Sequence, residues 1–376
     1  MLKFDLLKES SEIQGSNQSK ARLGTITTDH GVIQTPVFMP VGTLGSVKSM
    51  SKEDLDHCNA QIILGNTYHL YLRPGCEVIE HMEGLHEFIS WNKPMLTDSG
   101  GFQFFSLAKL AKFRDEGVSF QSHIDGSRHF FSPEKAVEIQ MILGSDIMMS
   151  LDWCIGYPSS EKQVMDALNK TTLWAKRGFD FWQEKGSVNS LFGIIQGGMY
   201  KHLRTLSARQ LTDIDFPGFA IGGLSVGEPR ELMYEMADHT LPLLPRDKPR
   251  YIMGVGTPEN LVELVGMGCD MFDCVMPSRN ARNGQLFTNT GTMNIYNAKF
   301  RFDKNPIDGA CSCYTCQNYS RSYLRHLYKS RELLAYRLNT IHNIYYYTQL
   351  MGKMRKAIEQ NRFLEFKREF FSIRSE

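Results

Sequence analysis

Short apolar runs of three to six residues recur through the first three quarters of the chain. Each is closed by a polar residue or glycine and followed by a longer stretch with apolar positions at helical spacing. The runs lie at 36–41, 61–64, 95–97, 146–151, 191–195, 218–221, 250–253 and 270–273. Strands that alternate with helices pair in parallel, because each helix carries the chain back to the starting end of the sheet. Eight such units within about 250–280 residues match a closed (β/α)8 TIM barrel better than an open doubly wound sheet, and no G-x-G-x-x-G turn marks a dinucleotide crevice. The expected fold class is therefore α/β. In such a barrel the C-terminal strand ends form the mouth, so the residues closing the runs, Thr43, Asn66, Asp98, Asp152, Gln196, Gly223, Gly254 and Asp273, would share one opening.

Three segments break the alternation and read as β-hairpins: 22–34 around Asp29-His30-Gly31, 118–131 around Asp125-Gly126-Ser127, and 285–296 around Asn289-Thr290-Gly291. The third leads from the eighth strand toward Cys311-Ser312-Cys313-Tyr314-Thr315-Cys316. Residues 1–284 would then form the barrel with an N-terminal hairpin, 285–342 an insertion, and 343–376 the last barrel helix and tail. That helix is expected from about 340 to 362, with His342 near its start.

Thiolates spaced C-x-C-x2-C can wrap one tetrahedral ion, and His342, 26 positions beyond Cys316, can close the fourth position. A zinc held by four protein ligands staples a loop to a helix and does no chemistry. A chance group of free thiols is the competing reading. The remaining five of the eight cysteines are scattered through apolar or motif sequence, which points away from a disulfide framework and toward a reducing, cytoplasmic compartment. The N-terminus lacks a signal-peptide run and no stretch of about 18 apolar residues occurs, so neither export nor a membrane is expected.

At 376 residues and 42% apolar content, the chain has ample material for a core. Its formal net charge of +1 hides an asymmetry: residues 276–376 carry 17 Lys and Arg against 7 Asp and Glu, whereas the other 275 residues carry 25 against 34. The basic end interleaves tyrosines with arginines, a mixture suited to phosphate neutralisation and base stacking, although ordinary solvated helix faces can have the same composition.

Asp98 stands in Thr97-Asp98-Ser99-Gly100-Gly101-Phe102-Gln103, where a rim carboxylate beside an aromatic ring can hydrogen-bond the edge of a heterocycle stacked on that ring. An Asx turn capping the next helix would read the same way. Asp273 stands before Arg279 and Arg282; an ionised carboxylate there can attack an anomeric carbon while the arginines hold phosphate, or it can simply pair with Arg279. Two carboxylates, one nucleophile and one acid/base, are a common solution for breaking a bond to an anomeric carbon with retention. Asp152 adds an acceptor, and Gln196 an amide able to meet a guanine-like edge or to sit as a satisfied buried group.

These motifs, together with Gly65-Asn66-Thr67-Tyr68-His69-Leu70, Ile195-Gln196-Gly197-Gly198 and Gly222-Gly223-Leu224-Ser225-Val226-Gly227-Glu228, resemble the bacterial-type tRNA-guanine transglycosylases, or queuine tRNA-ribosyltransferases, over nearly the whole chain. The resemblance implies a zinc-containing barrel, a pentosyltransferase that exchanges the wobble guanine of certain tRNAs for a 7-deazaguanine base in queuosine biosynthesis. It implies Asp273 as nucleophile on C1′ and Asp98 as general acid/base. Asp152, Gln196, Gly223 and Leu224 would recognise the base, with Ser99 and Cys154 in the same pocket. Phe102 and Met253 would sandwich the base, Asn66 would orient Asp273, and Arg279 and Arg282 would hold neighbouring anticodon nucleotides. One structural zinc on Cys311, Cys313, Cys316 and His342 would support a segment gripping the anticodon stem-loop, in a cytoplasmic homodimer. Where the family has Asp-Glu-Cys-Thr-Pro-Tyr-Pro, this chain has Asp152-Trp153-Cys154-Ile155-Gly156-Tyr157-Pro158. Cys154 and Val226 fit use of the aminomethyl precursor, and the altered wall leaves queuine open as incoming base. A non-catalytic tRNA-binding subunit of the same family is the alternative function.

Overall fold

Eight parallel strands close into a ring in the computed structural model, which describes residues 2–14, 17–106 and 111–375. The first strand has two halves, Val37–Met39 and Val41–Gly42, and the others are Ile63–Gly65, Met95–Thr97, Ile147–Met149, Ser190–Ile195, Gly218–Ile221, Arg250–Ile252 and Met271–Asp273. Proline has no N–H to give a ladder, so Pro40 splits the first strand. Its carbonyl still accepts from Leu64 N–H at 3.0 Å. The half before it pairs with the eighth strand, Met39 facing Asp273, and the half after it pairs with the second, Val41 facing Leu64, which closes the barrel across the proline.

Successive side chains on a strand point to opposite faces. Accordingly Val37, Met39, Leu64, Ile147, Met149 and Met271 fill the barrel interior, while Phe38, Met148, Ile221 and Phe272 belong to the outer core under the helices. Ile26 and Ile33 of the antiparallel sheet Lys3–Glu9, Arg22–Thr28 and Gly31–Thr35 join the interior cluster and plug it at the end away from the mouth. At that end the Asp146 carboxylate accepts from the His30 N–H and ring and from the Met95 N–H, with His86 alongside. Burial would raise its pKa, but the bonds from His86, His30 and Met95 hold it down at about 2.

The outer helices follow local rules. Glu161–Lys185 starts at Ser160, whose hydroxyl accepts from Gln163 N–H while the Gln163 side chain returns the bond, and it stops at Gly186 in the left-handed region. Its buried stripe, Val164, Leu168, Thr171, Ala175, Gly178 and Trp182, recurs every three or four residues.

Three features depart from the sequence expectation. The last barrel helix is Leu333–Glu359, starting earlier than 340, so His342 lies well inside it and a boundary at 342/343 cuts a continuous helix. Arg337 anchors the early turn through two 2.9 Å bonds to Asp54. A further helix, Phe363–Ser375, follows where a tail was expected. The expected hairpins at 22–34 and 118–131 each gain a third strand, Lys3–Glu9 and Ala111–Arg114, and the hairpin at 285–296 is Gln285–Thr288 with Gly291–Asn294. No helix among the described residues is long and apolar enough to cross a membrane.

Candidate active site

Asp98 leaves the third strand and Asp273 ends the eighth, so both stand at the C-terminal rim. Asn66 caps the helix Thr67–Leu72 by accepting from His69 N–H, and its Nδ2 donates to Asp98 Oδ2 at 2.5 Å. Thr67 N–H donates to Asp98 Oδ1 at 2.9 Å. Asp273 is held elsewhere: its Oδ1 accepts from the Tyr251 hydroxyl at 2.5 Å and from Gly254 N–H at 2.7 Å. Asn66 therefore positions Asp98 rather than Asp273, because it sits on the cap that follows the second strand, next to the third. Pairing of Asp273 with Arg279 is likewise replaced by the tyrosine and the glycine amide.

Burial raises the pKa of Asp98 to about 7, the nearby charges of Asp273 and Asp152 push the same way, and the Thr67 and Gly100 amides oppose them. Asp273 is also raised by burial, with Tyr251 and Gly254 pulling it back.

Near these carboxylates, at the ends of the fourth and fifth strands, lies a cluster of buried polar side chains. Asp152 Oδ1 accepts from Ser99 Oγ at 3.1 Å and Oδ2 from Gln196 Nε2 at 2.7 Å, while burial lifts its pKa to about 6. Gln196 is buried, yet its Oε1 has no partner among the described residues. An orphaned buried acceptor is costly unless a ligand supplies the donor. Glycines make room for this pair: a Cβ on Gly101 would lie 2.3 Å from Asp152 Oδ1, and one on Gly223 (φ +64°) would lie 2.5 Å from Gln196 Oε1. Leu224 and Cys154 are buried against the same turns, Phe102 stands exposed on Gly101–Ser106, and Met253 follows the seventh strand. Trp153 stacks on Phe113 at 4.4 Å, tying this wall to the hairpin Ala111–Gln121 region.

Two contributors carry no sequence signal for the site: Tyr251 sits inside an apolar strand and Arg204 inside an amphipathic helix. Thr67 lies in a quoted motif but acts on Asp98 through its backbone N–H, which residue type does not reveal. Glu228, by contrast, lies in a quoted glycine motif; it accepts from the Ser225 and Val226 amides and shapes the turn after the sixth strand.

Arg279 is exposed and Arg282 half-buried on the helix Met276–Arg282, directly after Asp273. Arg282 Nη1 is buried without a partner among the described residues. Farther along, Tyr314, Tyr319, Tyr323 and His326 form a ladder, with Tyr314 52% and Tyr323 41% exposed.

Cys311, Cys313, Cys316 and His342 converge, with their sulfurs 3.7, 3.5 and 3.3 Å from His342 Nδ1. A tetrahedral zinc with Zn–S of about 2.3 Å and Zn–N of about 2.0 Å separates its ligands by roughly 3.5 Å, so the donor set fits one metal ion. His342 Nε2 donates to the Phe287 carbonyl at 2.7 Å, which leaves Nδ1 facing the thiols. All eight cysteines are free of disulfides. His30, His86 and Asp146 form a second close group, but their imidazoles stack at 3.7 Å with planes 9° apart. Lone pairs lie in the ring planes, so nearly parallel rings cannot aim at one ion.

A family model described as queuine tRNA-ribosyltransferase matches residues 17–376. The chain is 74% identical over 374 residues to a queuine tRNA-ribosyltransferase of Desulforapulum autotrophicum, covering 100% of each chain. It is 59% identical over 356 residues to one from Desulfosudis oleivorans, covering 94% of this chain and 93% of the relative. It is 56% identical over 373 residues to one from Caldanaerobacter subterraneus subsp. tengcongensis, covering 98% and 96%.

Proposed function

Since this chain belongs to the queuine tRNA-ribosyltransferase family, enzymes of the pentosyltransferase class, we propose that it exchanges the wobble guanine of tRNA for a 7-deazaguanine base in queuosine biosynthesis, through a covalent bond between Asp273 and the ribose. The observation that carries this reading is the pair of rim carboxylates in unlike settings. Asp273 has one oxygen fixed by Tyr251 and Gly254, and Asp98 is raised to about 7, near the pH where a group both gives and takes protons.

In the first half-reaction the wobble nucleotide, splayed from the anticodon, places guanine against Asp152, Gln196, Gly223 and Leu224, between Phe102 and Met253. Gln196 Oε1 and the Asp152 carboxylate are acceptors for the ring N–H and amino donors of a guanine edge. Asp273 attacks C1′, the bond from C1′ to N9 breaks, and protonated Asp98 supplies the proton that lets guanine leave neutral. In the second, Asp98 takes a proton from the incoming base, whose nitrogen attacks C1′ and releases the Asp273 carboxylate. Two displacements retain the anomeric configuration, and the ester conserves the glycosidic bond's free energy, so no ATP is needed. Arg279 and Arg282 hold flanking phosphates. Cys311, Cys313, Cys316 and His342 hold one zinc, whose closed site supplies structure rather than reaction chemistry.

Cys154 and Val226 support 7-aminomethyl-7-deazaguanine as the incoming base. A hollow of about 180 Å³ bordered by Ile155, Gly156, Tyr157 and Gly223 is the observation that favours the larger queuine. Incubating the enzyme and guanine-containing tRNA with each base decides: efficient incorporation of queuine alone would replace the first choice. The exposed tyrosine ladder supports a homodimer, and free thiols support a cytoplasmic setting. A non-catalytic subunit would have no use for both carboxylates. Denaturing gels test the mechanism: wild type should trap a covalent adduct with tRNA and Asp273→Asn should not, whereas an adduct surviving in Asp273→Asn would assign the nucleophile elsewhere.

A further inference from the structure

Behind the base pocket lies a charge that the transfer steps do not use. Arg204, on the helix Lys201–Thr212, is completely buried and makes no ion pair among the described residues. Burial lowers its pKa to about 10, which leaves it charged at neutral pH. Its fork donates from Nε to the Gly198 carbonyl at 2.8 Å, from both Nη atoms to the Gly222 carbonyl at 3.3 Å, and from Nη2 to the Gly223 carbonyl at 3.3 Å. One planar group thus ties the turn after the fifth strand to the turn after the sixth. The turn packs closely on this residue, since a Cβ on Gly197 would lie 2.6 Å from the Arg204 backbone nitrogen and 2.9 Å from its Cγ.

The direction of these carbonyls has a consequence on the other side of the turn. A trans peptide aims its N–H opposite its C=O. With the Gly222 and Gly223 carbonyls drawn to Arg204, the Gly223 and Leu224 amides face away from it. The Gln196 carboxamide lies against the same two glycines, because a Cβ on Gly222 would be 2.6 Å from Nε2 and one on Gly223 2.5 Å from Oε1. We propose that Arg204 is a positioning residue for base selection: by holding both carbonyls back, it presents amide donors to the carbonyl of a 6-oxopurine-type base and keeps Gln196 in register. This rests on the base-pocket reading above.

Lysine keeps the charge, but its ammonium is a point donor that cannot span carbonyls on two turns as the guanidinium does. In Arg204→Lys holoenzyme, the KM for free guanine in tRNA-guanine exchange should rise about tenfold or more, as expected when hydrogen bonds from a buried charged group are lost. The KM for tRNA should stay within about twofold of wild type, and the loss should fall on guanine KM more than on kcat. An unchanged guanine KM, a parallel rise in both KM values, or a chain that does not fold would each overturn the inference, the last by making Arg204 a folding element. Asp152→Asn separates the two readings. If it keeps the wild-type guanine KM, the base pocket itself is misassigned; if it loses guanine while Arg204→Lys does not, only the role of Arg204 fails.

Discussion

Asp98 and Asp273 are the same side chain held in different settings by their neighbours. Asp98 accepts from an amide side chain and the Thr67 N–H, with two other carboxylates near enough to raise it; Asp273 accepts from a buried phenol and one amide. If protonated Asp98 assists guanine departure, single-turnover adduct formation should decline above about pH 7, as the group loses its proton. The Asp152 charge is one of the causes raising Asp98. Asp152→Asn should therefore move the alkaline limb to lower pH, and a limb that stays put or moves upward would disconnect it from Asp98. Asp98→Ala should keep tRNA affinity and lose nearly all exchange, since a positioned acid or base contributes roughly 10²- to 10⁴-fold; near-normal exchange would remove Asp98 from the mechanism. Both aspartates were legible because each closes an apolar run, where a barrel puts its mouth. Tyr251 and Arg204 were not, because an apolar strand and an amphipathic helix need such residues for packing alone, and only the fold shows where their polar ends arrive. The orienting role of Asn66 went to the other carboxylate because strand adjacency, which sequence does not display, decides which one it reaches.

Among the elements, the glycine turns and the hairpin packed beside the cysteine cluster are the least tolerant. Gly101→Ala would drive a methyl against Asp152 Oδ1 and its carbonyl, at 2.3 and 2.6 Å, so guanine affinity should fall sharply in equilibrium binding while the chain still folds. At the other site, Asn343 zips the hairpin to the long helix: Oδ1 accepts from Phe287 N–H at 3.0 Å and Nδ2 donates to the Pro277 and Gln285 carbonyls at 3.0 Å. Phe287 in turn fixes His342 through its carbonyl. Cys313→Ser should lower bound zinc measured by atomic absorption and make 285–330 the first region cleaved in limited proteolysis, because ligand loss uncouples metal binding from folding of the loop. Unchanged metal content would exclude Cys313 as a ligand. Asn343→Leu leaves the buried Phe287 N–H unsatisfied, at about 1–3 kcal/mol, and should lower Tm with the metal still bound. The cysteine spacing makes this cluster legible in the sequence; the helix boundary is not, because Leu333 and Leu334 are solvent-facing and break the apolar periodicity that marks a helix start.

At the scale of the molecule, the (β/α)8 order was readable because parallel pairing forces strand and helix to alternate, whereas closure depended on Pro40, which splits one strand so that it borders two neighbours. The charge distribution divides along the same line as the fold. The acidic barrel would repel RNA at long range, and the basic final hundred residues, 17 Lys and Arg against 7 Asp and Glu, offset that repulsion on the side that follows Asp273. Phosphate binding releases condensed counterions, so log affinity for tRNA should fall linearly with log salt, by about 0.7–0.9 per phosphate neutralised. Arg279→Ala and Arg282→Ala should each reduce that slope by about one such unit, with the greater loss of affinity for Arg282, whose buried Nη1 lacks a protein partner. Free guanine makes no phosphate contact, so its affinity should hardly change from low to moderate salt. A tRNA slope unaltered by both substitutions would place the RNA on another face, and a guanine affinity as salt-sensitive as that of tRNA would mean that the base pocket and the basic surface are not separate sources of binding.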